Sequence, residues 1–387
     1  MVEEKDIVGI SVPFAAGIAA GAFLCARTDI RTAVPADCLF LFLVGVLILT
    51  AHFGRIGRFD RLSDQSNHSG RRIFFGGIFL LTGIFCSLNQ HIAGAIPEYS
   101  TGSVAGVAER TVTHLRSVID SIPYPTETTA PLVKALLTGD KGDLTKEITG
   151  IFRSSGASHI LALSGLHLGV LYIILAKLTV PIGNSLTARR LRYSLIIGSA
   201  LFYAIMTGAS PSIVRAFLFI TINETCKLLG RKRDPVRVLL AALTIQLAAG
   251  PDVIISVGFQ LSYMAMAGIF ILYPALERIY PSADGSRLAR VDPFRKIWNA
   301  AMLSVSCQAF TGPLAWHYFH TFPKYFILTN LTALPLTSAV MVLSVATIAL
   351  SFFGICPDPL VTLNDHAMQT LVFCLKVIAG LDEPLSP

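Results

Sequence analysis

The stretch from residue 159 to residue 169, HILALSGLHLG, places polar side chains inside an otherwise apolar sequence. Ser164 and His167 are three residues apart, a spacing that puts two side chains on one face of an α-helix. His159 precedes them at the polar start of the stretch. Such a pair can hydrogen-bond neighbouring helices, line the polar face of a pore, or act as a serine nucleophile with a histidine base. The last use needs a carboxylate to orient the histidine, and none is evident nearby in the sequence.

A basic residue and two glycines extend this set. Arg215 follows Pro211 by four residues, about one helical turn from the start of its segment. Its guanidinium can snorkel to the membrane surface or face an anion in a cavity, because its planar donors match a phosphate. Gly165 and Gly169 form G-x-x-x-G, the spacing that allows helices to pack closely, so both are predicted packing positions.

A third polar group lies in the segment GFQLSY at 258–263. Gln260 can bond to a neighbouring helix, or it can line a path together with Phe259 and Tyr263. Other polar residues lie near the ends of apolar segments, where we interpret them as interfacial. These are His317, His320, Asn330, Asn364, Asp365 and His366.

These polar groups are conspicuous because the chain as a whole is apolar. Of its 387 residues, 53% are Ala, Val, Ile, Leu, Met, Phe, Trp, Tyr or Cys and only 14% are charged, and the mean hydropathy is +0.64. A soluble domain carries about 25% charged residues. The composition therefore excludes a soluble globular, disordered or coiled-coil protein and predicts an all-α polytopic membrane protein.

About eleven segments are apolar enough to form transmembrane or re-entrant helices. They cover residues 7–25, 33–53, 73–93, 158–180, 193–209, 211–229, 236–249, 253–276, 297–318, 326–353 and 360–380. The segment 236–249 is short enough to be re-entrant. Pro335 predicts a kink or break in 326–353, and the polar start of 158–180 predicts a break there. The acidic flank VEEKD indicates that the first segment is not a cleaved signal peptide.

The net charge of +7 can indicate a nucleic-acid partner or only a membrane orientation. With eleven spans, about two thirds of the 31 basic residues lie at one face of the membrane. The positive-inside rule makes that face cytoplasmic, together with the N-terminus. Most of the charge therefore reports orientation and says little about DNA.

The longest predicted outer segment, 94–157, contains amphipathic stretches at 104–120, 131–138 and 144–153. A turn that includes Asp140 and Lys141 joins the last two stretches. We expect these short helices to lie in the membrane interface or to pack on the mouth of the bundle. A Gly-Asp turn carries no functional weight by itself, since both residues are ordinary turn formers.

Signatures of soluble enzymes are missing from the sequence. It has no P-loop, G-x-G-x-x-G or H-E-x-x-H motif and no histidine/aspartate metal cluster, so we predict no enzymatic activity, no metal site and no cofactor. None of the seven cysteines forms C-x-x-C, and most lie in apolar segments, where they are interpreted as small core residues.

The order of the motifs resembles the ComEC-type competence protein family. LTGDK at 137–141 and FRSSGASHILALSGLH at 152–167 are similar to the family's Gly-Asp turn and its F-R-x-x-G-x-x-H-L-L-A-x-S-G-L-H pattern. PSIVRA at 211–216, GFQLS at 258–262 and NLTALP at 330–335 follow in the family's order. The resemblance covers residues 130–350 well.

The resemblance implies an inner-membrane channel that carries single-stranded DNA into the cytoplasm during natural transformation. The expected path or DNA-contact residues are His159, Ser164, His167, Arg215, Phe259, Gln260 and Tyr263, and those of the periplasmic mouth are Asp140, Lys141 and Arg153. Implied partners are single-stranded DNA, the lipid bilayer, a separate nuclease, a periplasmic DNA receptor and a cytoplasmic ATP-driven translocase. An oligomer is a further possibility.

The implied division is an N-terminal three-helix membrane region at 1–93, a periplasmic segment at 94–157, a channel core at 158–380 and a tail at 381–387. The interval 94–130 is too short for the OB-like domain of many family members. The H-x-H-x-D cluster of their metallo-β-lactamase-like domain is missing, so a nuclease function is not carried over.

The sequence leaves three alternatives to a DNA channel. They are a small-solute transporter, an intramembrane enzyme using Ser164 and His167, and a truncated, non-functional family member.

Overall fold

A computed structural model describes residues 11–20, 77, 80, 83, 84, 104–280 and 292–381. These residues form helices joined by turns and short extended connections, with no strand in the described ranges. The chain divides into two compact units, one of residues 1–100 with 233–256 and one of residues 101–232 with 257–387. All the predicted site residues belong to the second unit.

The helices longer than one turn follow one another closely along the described chain. They are α1 (Ser11–Ala20), α2 (Val104–Ser121), α3 (Thr129–Thr138), α4 (Lys146–Ser154), α5 (Ser158–Leu161), α6 (Gly165–Leu178), α7 (Leu186–Met206), α8 (Pro211–Leu228), α9 (Pro235–Ala249), α10 (Val257–Ile271), α11 (Tyr273–Glu277), α12 (Pro293–Phe319), α13 (Phe326–Ser351) and α14 (Asp358–Gly380). Short 3₁₀ turns at Val180–Ile182 and Pro251–Ile255 follow α6 and precede α10.

Most predicted segments within the described ranges coincide with one of these helices to within a few residues. Two predicted spans are interrupted. The break expected in 158–180 is present, because α5 ends at Leu161 and α6 begins at Gly165. The segment 253–276 is divided into a 3₁₀ turn, α10 and α11. By contrast, α13 runs unbroken through Pro335. The predicted span 33–53 lies outside the described residues, as does most of 73–93.

Three stretches of the described chain are long and apolar enough to cross a membrane: Gly165–Ile182, Val257–Glu277 and Phe326–Ser351. Shorter apolar helices are Ser11–Ala20, Thr129–Thr138 and Pro235–Ala249. The all-helical membrane class is thus confirmed, and the number of eleven spans stays a prediction.

The core of the second unit forms where α3 and α4 pack against α13 and α14. Leu132, Leu136 and Phe152 from the predicted outer segment are fully buried there, together with Met341 and Met368. Burying such a side chain is worth about 1.5–3 kcal/mol. The sequence left two locations for these helices, the membrane interface or the mouth of the bundle. The burial of Leu132 and Leu136 shows that α3 packs on the bundle.

A buried polar network holds the start of α3 on α14. One carboxylate oxygen of Asp365 accepts hydrogen bonds from the Thr129 hydroxyl at 2.5 Å and the Thr126 amide at 3.3 Å. The other accepts one from the Thr126 hydroxyl at 2.9 Å. Asn364 donates to the hydroxyls of Tyr124 and Ser344. The interfacial interpretation of Asn364 and Asp365 was therefore wrong: both are buried, because they meet donors from elements that lie far away in the sequence.

Candidate functional site

The break between α5 and α6 decides the environment of the serine and histidine. Ala162 and Ser164 have extended backbone angles, and Ser164 is the N-cap of α6. His167 is therefore the third residue of α6. The imidazole consequently lies in the first turn of α6.

Ser164 and His167 close the N-terminus of α6 together. The Ser164 hydroxyl accepts from the Leu166 amide at 3.3 Å, and Nδ1 of His167 accepts from the Ser164 amide at 3.2 Å. Ser164 Oγ also lies 3.1 Å from Nδ1. This is a capping box in which the imidazole takes the position that a Glu or Gln usually has.

His167 is fully buried, and its Nε2 meets no hydrogen-bond partner among the described residues. A nucleophilic serine needs a histidine whose second nitrogen is oriented by an acidic or amide group. The described part of the chain offers no such group to Nε2. The geometry therefore supports a helix-capping role for Ser164 and His167 and does not support the hypothesis that Ser164 is a nucleophile.

Arg215 bridges three helices at this point. Its Nη1 donates to the backbone carbonyl of Ser262 in α10 at 2.5 Å. A Cβ built on Gly165, the first residue of α6, would lie 2.9 Å from its Nη2. The guanidinium therefore lies in the space left by the missing side chain of Gly165, beside the positive end of the α6 dipole. Among the described residues, no carboxylate lies within ion-pair distance of Arg215.

The two glycines of G-x-x-x-G differ in their surroundings. A Cβ on Gly165 would also lie 3.3 Å from the Cβ of Ala216 in α8, which is a close helix approach. A Cβ on Gly169 would meet no described atom within 4 Å. The described residues thus supply a packing reason for Gly165 and none for Gly169.

The residues of GFQLSY at the start of α10 have separate environments. Phe259 is only 4% exposed, and its ring lies 4.5 Å from that of Tyr263. Its side chain is thus buried in this structure, and its assignment to a path stays a prediction. Oε1 of Gln260 accepts from the Tyr318 hydroxyl of α12 at 2.9 Å, which is the helix-to-helix alternative for this residue.

The turn after α3 packs on the break that precedes α6. Gly139 has a left-handed backbone with φ +77°, and a Cβ there would overlap the side chain of Leu163. Both the left-handed backbone and the close contact with Leu163 require a glycine at position 139. The LTGDK and SGLH motifs, more than twenty residues apart in the sequence, therefore meet in space.

Asp140 is engaged within this turn. Its carboxylate accepts from the Gly142 amide at 3.0 Å and pairs with Nε of Arg116 at 3.1 Å. The Asp140 charge is thereby compensated, whereas Lys141 and Arg153 are exposed. Arg116 was not singled out from the sequence, because its partner lies in another element.

Lys134 anchors the same turn from within α3. Its ammonium contacts Asp120 at 2.7 Å and Asp143 at 2.5 Å, and its side chain is nearly buried. Burial alone would lower the pKa of Lys134, but the two carboxylates outweigh it and raise that pKa above its ordinary value of 10.5. The hydrogen bond and charge of Lys134 hold the pKa of Asp143 below its ordinary value of 3.8.

His159 lies in the short helix α5 and is exposed. Its Nδ1 is 3.2 Å from the carbonyl oxygen of Gly156. The connection between α12 and α13 packs here, because a Cβ on Gly156 would overlap the ring of Pro323 and the Thr329 hydroxyl donates to the Ser155 carbonyl at 2.7 Å.

A second polar cluster lies farther along α6 and α8. The Tyr172 hydroxyl donates to Glu224 at 2.6 Å, and the Lys227 ammonium contacts both that hydroxyl and the Glu224 carboxylate. The pairing with Tyr172 was not foreseen, because it joins elements 52 residues apart.

The described residues contain no group of three or more His, Cys, Asp or Glu side chains that could hold a metal ion. Cys226, Cys307, Cys356 and Cys374 are free thiols.

Comparison with known proteins gives the family. The competence protein family matches residues 136–385, which is more than half of the chain and includes every predicted site residue. The chain belongs to the competence protein family. The resemblance drawn from the motif order is thereby confirmed.

Curated relatives agree with this assignment. The chain is 24% identical to ComE operon protein 3 of Bacillus subtilis (strain 168) over 57% of its own length and 26% of that protein. It is 28% identical to competence protein ComA of Neisseria gonorrhoeae over 54% of its length and 29% of that protein. It is 26% identical to the uncharacterized protein YcaI of Escherichia coli (strain K12) over 66% of its length and 33% of that protein. The chain thus spans about a quarter to a third of these relatives, and no solved structure matches it.

Proposed function

We propose that this chain forms the inner-membrane path by which single-stranded DNA enters the cytoplasm during natural transformation, with its N-terminus on the cytoplasmic side. Membership of the competence family and the names of two relatives support a role in DNA uptake. The apolar helices support a location in the membrane. A nuclease, a periplasmic DNA receptor and an ATP-driven translocase belong to the same proposal as separate partners.

The observation that carries the proposal is the position of Arg215. Arg215 is partly buried and has no carboxylate partner among the described residues, which is unfavourable because removing a charge from water costs free energy unless a counter-charge is near. Here the cation also lies beside the N-terminus of α6 at Gly165, and the two positive potentials add. A phosphate at this position would accept two parallel hydrogen bonds from the guanidinium and would relieve both costs.

The neighbouring groups suit passage of a polyanion. Ser164, Gln260 and Tyr263 are polar without a negative charge, and they supply hydrogen bonds without holding a phosphate firmly. The one carboxylate of the predicted mouth, Asp140, is neutralised by Arg116. DNA would therefore approach across Lys141, which is exposed, toward Arg215.

The test replaces Arg215 in a transformable host that lacks its own copy of the protein. We expect Arg215→Ala to lower the uptake of labelled single-stranded DNA at least tenfold, and Arg215→Lys to restore part of it because the charge remains without the planar donors. Arg190→Ala is the matched control, since Arg190 is exposed on α7 and distant in the sequence from the site. Wild-type uptake by Arg215→Ala at equal membrane abundance would contradict the proposal.

A further inference from the structure

The last turn of α12 and the connection that follows it expose a dense set of aromatic rings. Residues 316–324 read WHYFHTFPK, and this stretch has no acidic side chain. Trp316 is 57% exposed, Tyr318 40%, Phe319 55% and Phe322 50%. His317, His320 and Lys324 are exposed among them. We call residues 316–324 the aromatic segment.

The aromatic segment is attached to the candidate site on two sides. The Tyr318 hydroxyl donates to Gln260, two residues before the Ser262 carbonyl that receives Arg215. On the other side, Pro323 packs against Gly156, which also provides the carbonyl near His159. The segment therefore borders Gln260 of α10 and the connection between α4 and α5.

The rings brace one another mostly through tilted or edge contacts. The ring centroids of Trp316 and His320 are 6.4 Å apart at 88°, and those of Phe322 and Phe326 are 6.2 Å apart at 77°. His317 and Tyr318 meet at 5.3 Å and 72°. Rings held in this way are fixed in orientation while large parts of their surfaces stay accessible.

We propose that the aromatic segment is a stacking platform for the bases of single-stranded DNA. The proposal rests on the proposed function and assigns the aromatic contacts to residues other than Phe259, which is buried. Proteins that bind single strands without sequence preference pair a positive groove with exposed rings, because every base has a face that stacks. The imidazoles and Lys324 add positive or neutral donors, and no carboxylate in the segment repels the phosphates.

Tryptophan fluorescence separates DNA from the bilayer as the partner of these rings. The chain has two tryptophans, and both lie on α12: Trp316 in the segment and Trp298 near the other end, where it donates to the Leu276 carbonyl. Trp298→Phe leaves Trp316 as the only reporter, and Trp316→Phe leaves Trp298 as the matched control. Both variants are placed in nanodiscs and titrated with an oligonucleotide that contains 5-bromodeoxyuridine, whose bromine quenches a ring in contact.

We expect the brominated oligonucleotide to quench Trp316 in a saturable manner and to leave Trp298 unchanged. A strand of equal length with abasic sites keeps the phosphates and removes the bases, so it should bind at least tenfold more weakly if stacking contributes. Equal binding of the abasic strand would overturn the platform while leaving the proposed function intact. Failure of both strands to bind would instead count against the proposed function.

Nanodiscs that contain lipids with brominated acyl chains test whether the rings contact the lipid bilayer instead. Quenching of Trp316 by these lipids, together with no response to DNA, would show that the rings form an interfacial aromatic belt and would overturn the proposal. In the same assay, Phe319→Ala should weaken the binding of the base-containing strand about tenfold and leave that of the abasic strand unchanged. Phe353→Ala is the control, since Phe353 is 80% exposed just beyond the other end of α13.

Discussion

The guanidinium of Arg215 occupies the space that the missing side chain of Gly165 leaves at the start of α6, and a methyl group there would approach Nη2 to 2.9 Å. The same guanidinium reaches the carbonyl of Ser262. A glycine in one helix thus sets the position of a cation in another. The constraint applies to Gly165 and not to the second glycine of the motif, because a Cβ built on Gly169 would meet no described atom within 4 Å.

We predict opposite outcomes for alanine at these two glycines. Gly165→Ala should displace the guanidinium from Ser262 and lower DNA uptake several-fold, with a small effect on stability because the end of a flexible side chain can move. Gly169→Ala should leave uptake unchanged and stabilise the protein by up to about 1 kcal/mol, the difference in helix propensity between the two residues. Uptake and thermal unfolding in detergent are measured for both. Equal uptake by the two variants would contradict the assigned role of Gly165.

Asp365 is expected to hold the start of α3 on α14. Asp365→Ala removes the acceptor of the Thr129 hydroxyl and of two groups of Thr126, and the loss should cost about 1–3 kcal/mol of unfolding free energy. His366→Ala is the control, since His366 is the next residue on the same helix, is exposed, and has its imidazole against the Thr362 carbonyl of its own helix. Denaturation in detergent measures both, and similar losses for the two variants would show that burial of Asp365 does not matter.

The ion pairs of Lys134 predict a defined pH dependence. The lowered pKa of Asp143 means that its contribution to stability is complete above 3.8 and is lost as the pH falls through the lower folded value. The raised pKa of Lys134 means that its contribution is complete below 10.5 and is lost as the pH rises through the higher folded value.

We therefore expect Lys134→Met to lower the melting temperature by a constant amount between about pH 5 and pH 9, and by less at more acidic pH, because the wild type loses its ion pair there. Lys146→Met, at an exposed position with no ion pair among the described contacts, should show no such pH-dependent difference. A difference between wild type and Lys134→Met that keeps its size down to pH 3 would contradict the assignment.

Conservative variants of His167 distinguish a helix-capping role from a direct role of the imidazole in DNA uptake. Asparagine can place its amide oxygen close to the position of Nδ1 and accept from the Ser164 amide, whereas alanine leaves that amide without its partner and opens a cavity. We expect His167→Asn to fold and to retain most of the uptake, and His167→Ala to be destabilised by about 2 kcal/mol or more. Ser164→Ala should cost about 1 kcal/mol through loss of the N-cap. Loss of uptake in a well-folded His167→Asn would indicate that the imidazole itself is required.

The sequence predicted the elements well because their signals are local. The apolar segments gave most of the helix positions from 104 onward, and the amphipathic pattern of 104–120 became α2. The break before α6 was also visible, since a polar stretch with Ser164 ahead of an apolar run favours an N-cap. The order of the motifs was enough to identify the family.

The errors all concern the neighbours of a residue. Asn364 and Asp365 were assigned to the membrane interface, although both are buried. The deciding contacts join distant elements: Asp365 meets Thr126 across 239 residues, and Asn364 meets Tyr124 across 240. The cations Arg116 and Lys134 were overlooked for the same reason, since their carboxylate partners lie in separate elements.

By itself, the sequence determined that this is an all-helical membrane protein of the competence family, with a few polar groups in apolar surroundings. The tertiary structure alone decided that Arg215 lies against Gly165, that the LTGDK turn lies against Leu163, and that the rings of the aromatic segment are exposed beside Gln260. The physical reason is that a helix in a membrane protein is apolar on nearly every side. Its pattern therefore does not distinguish the face that packs on protein from the face that meets lipid or substrate.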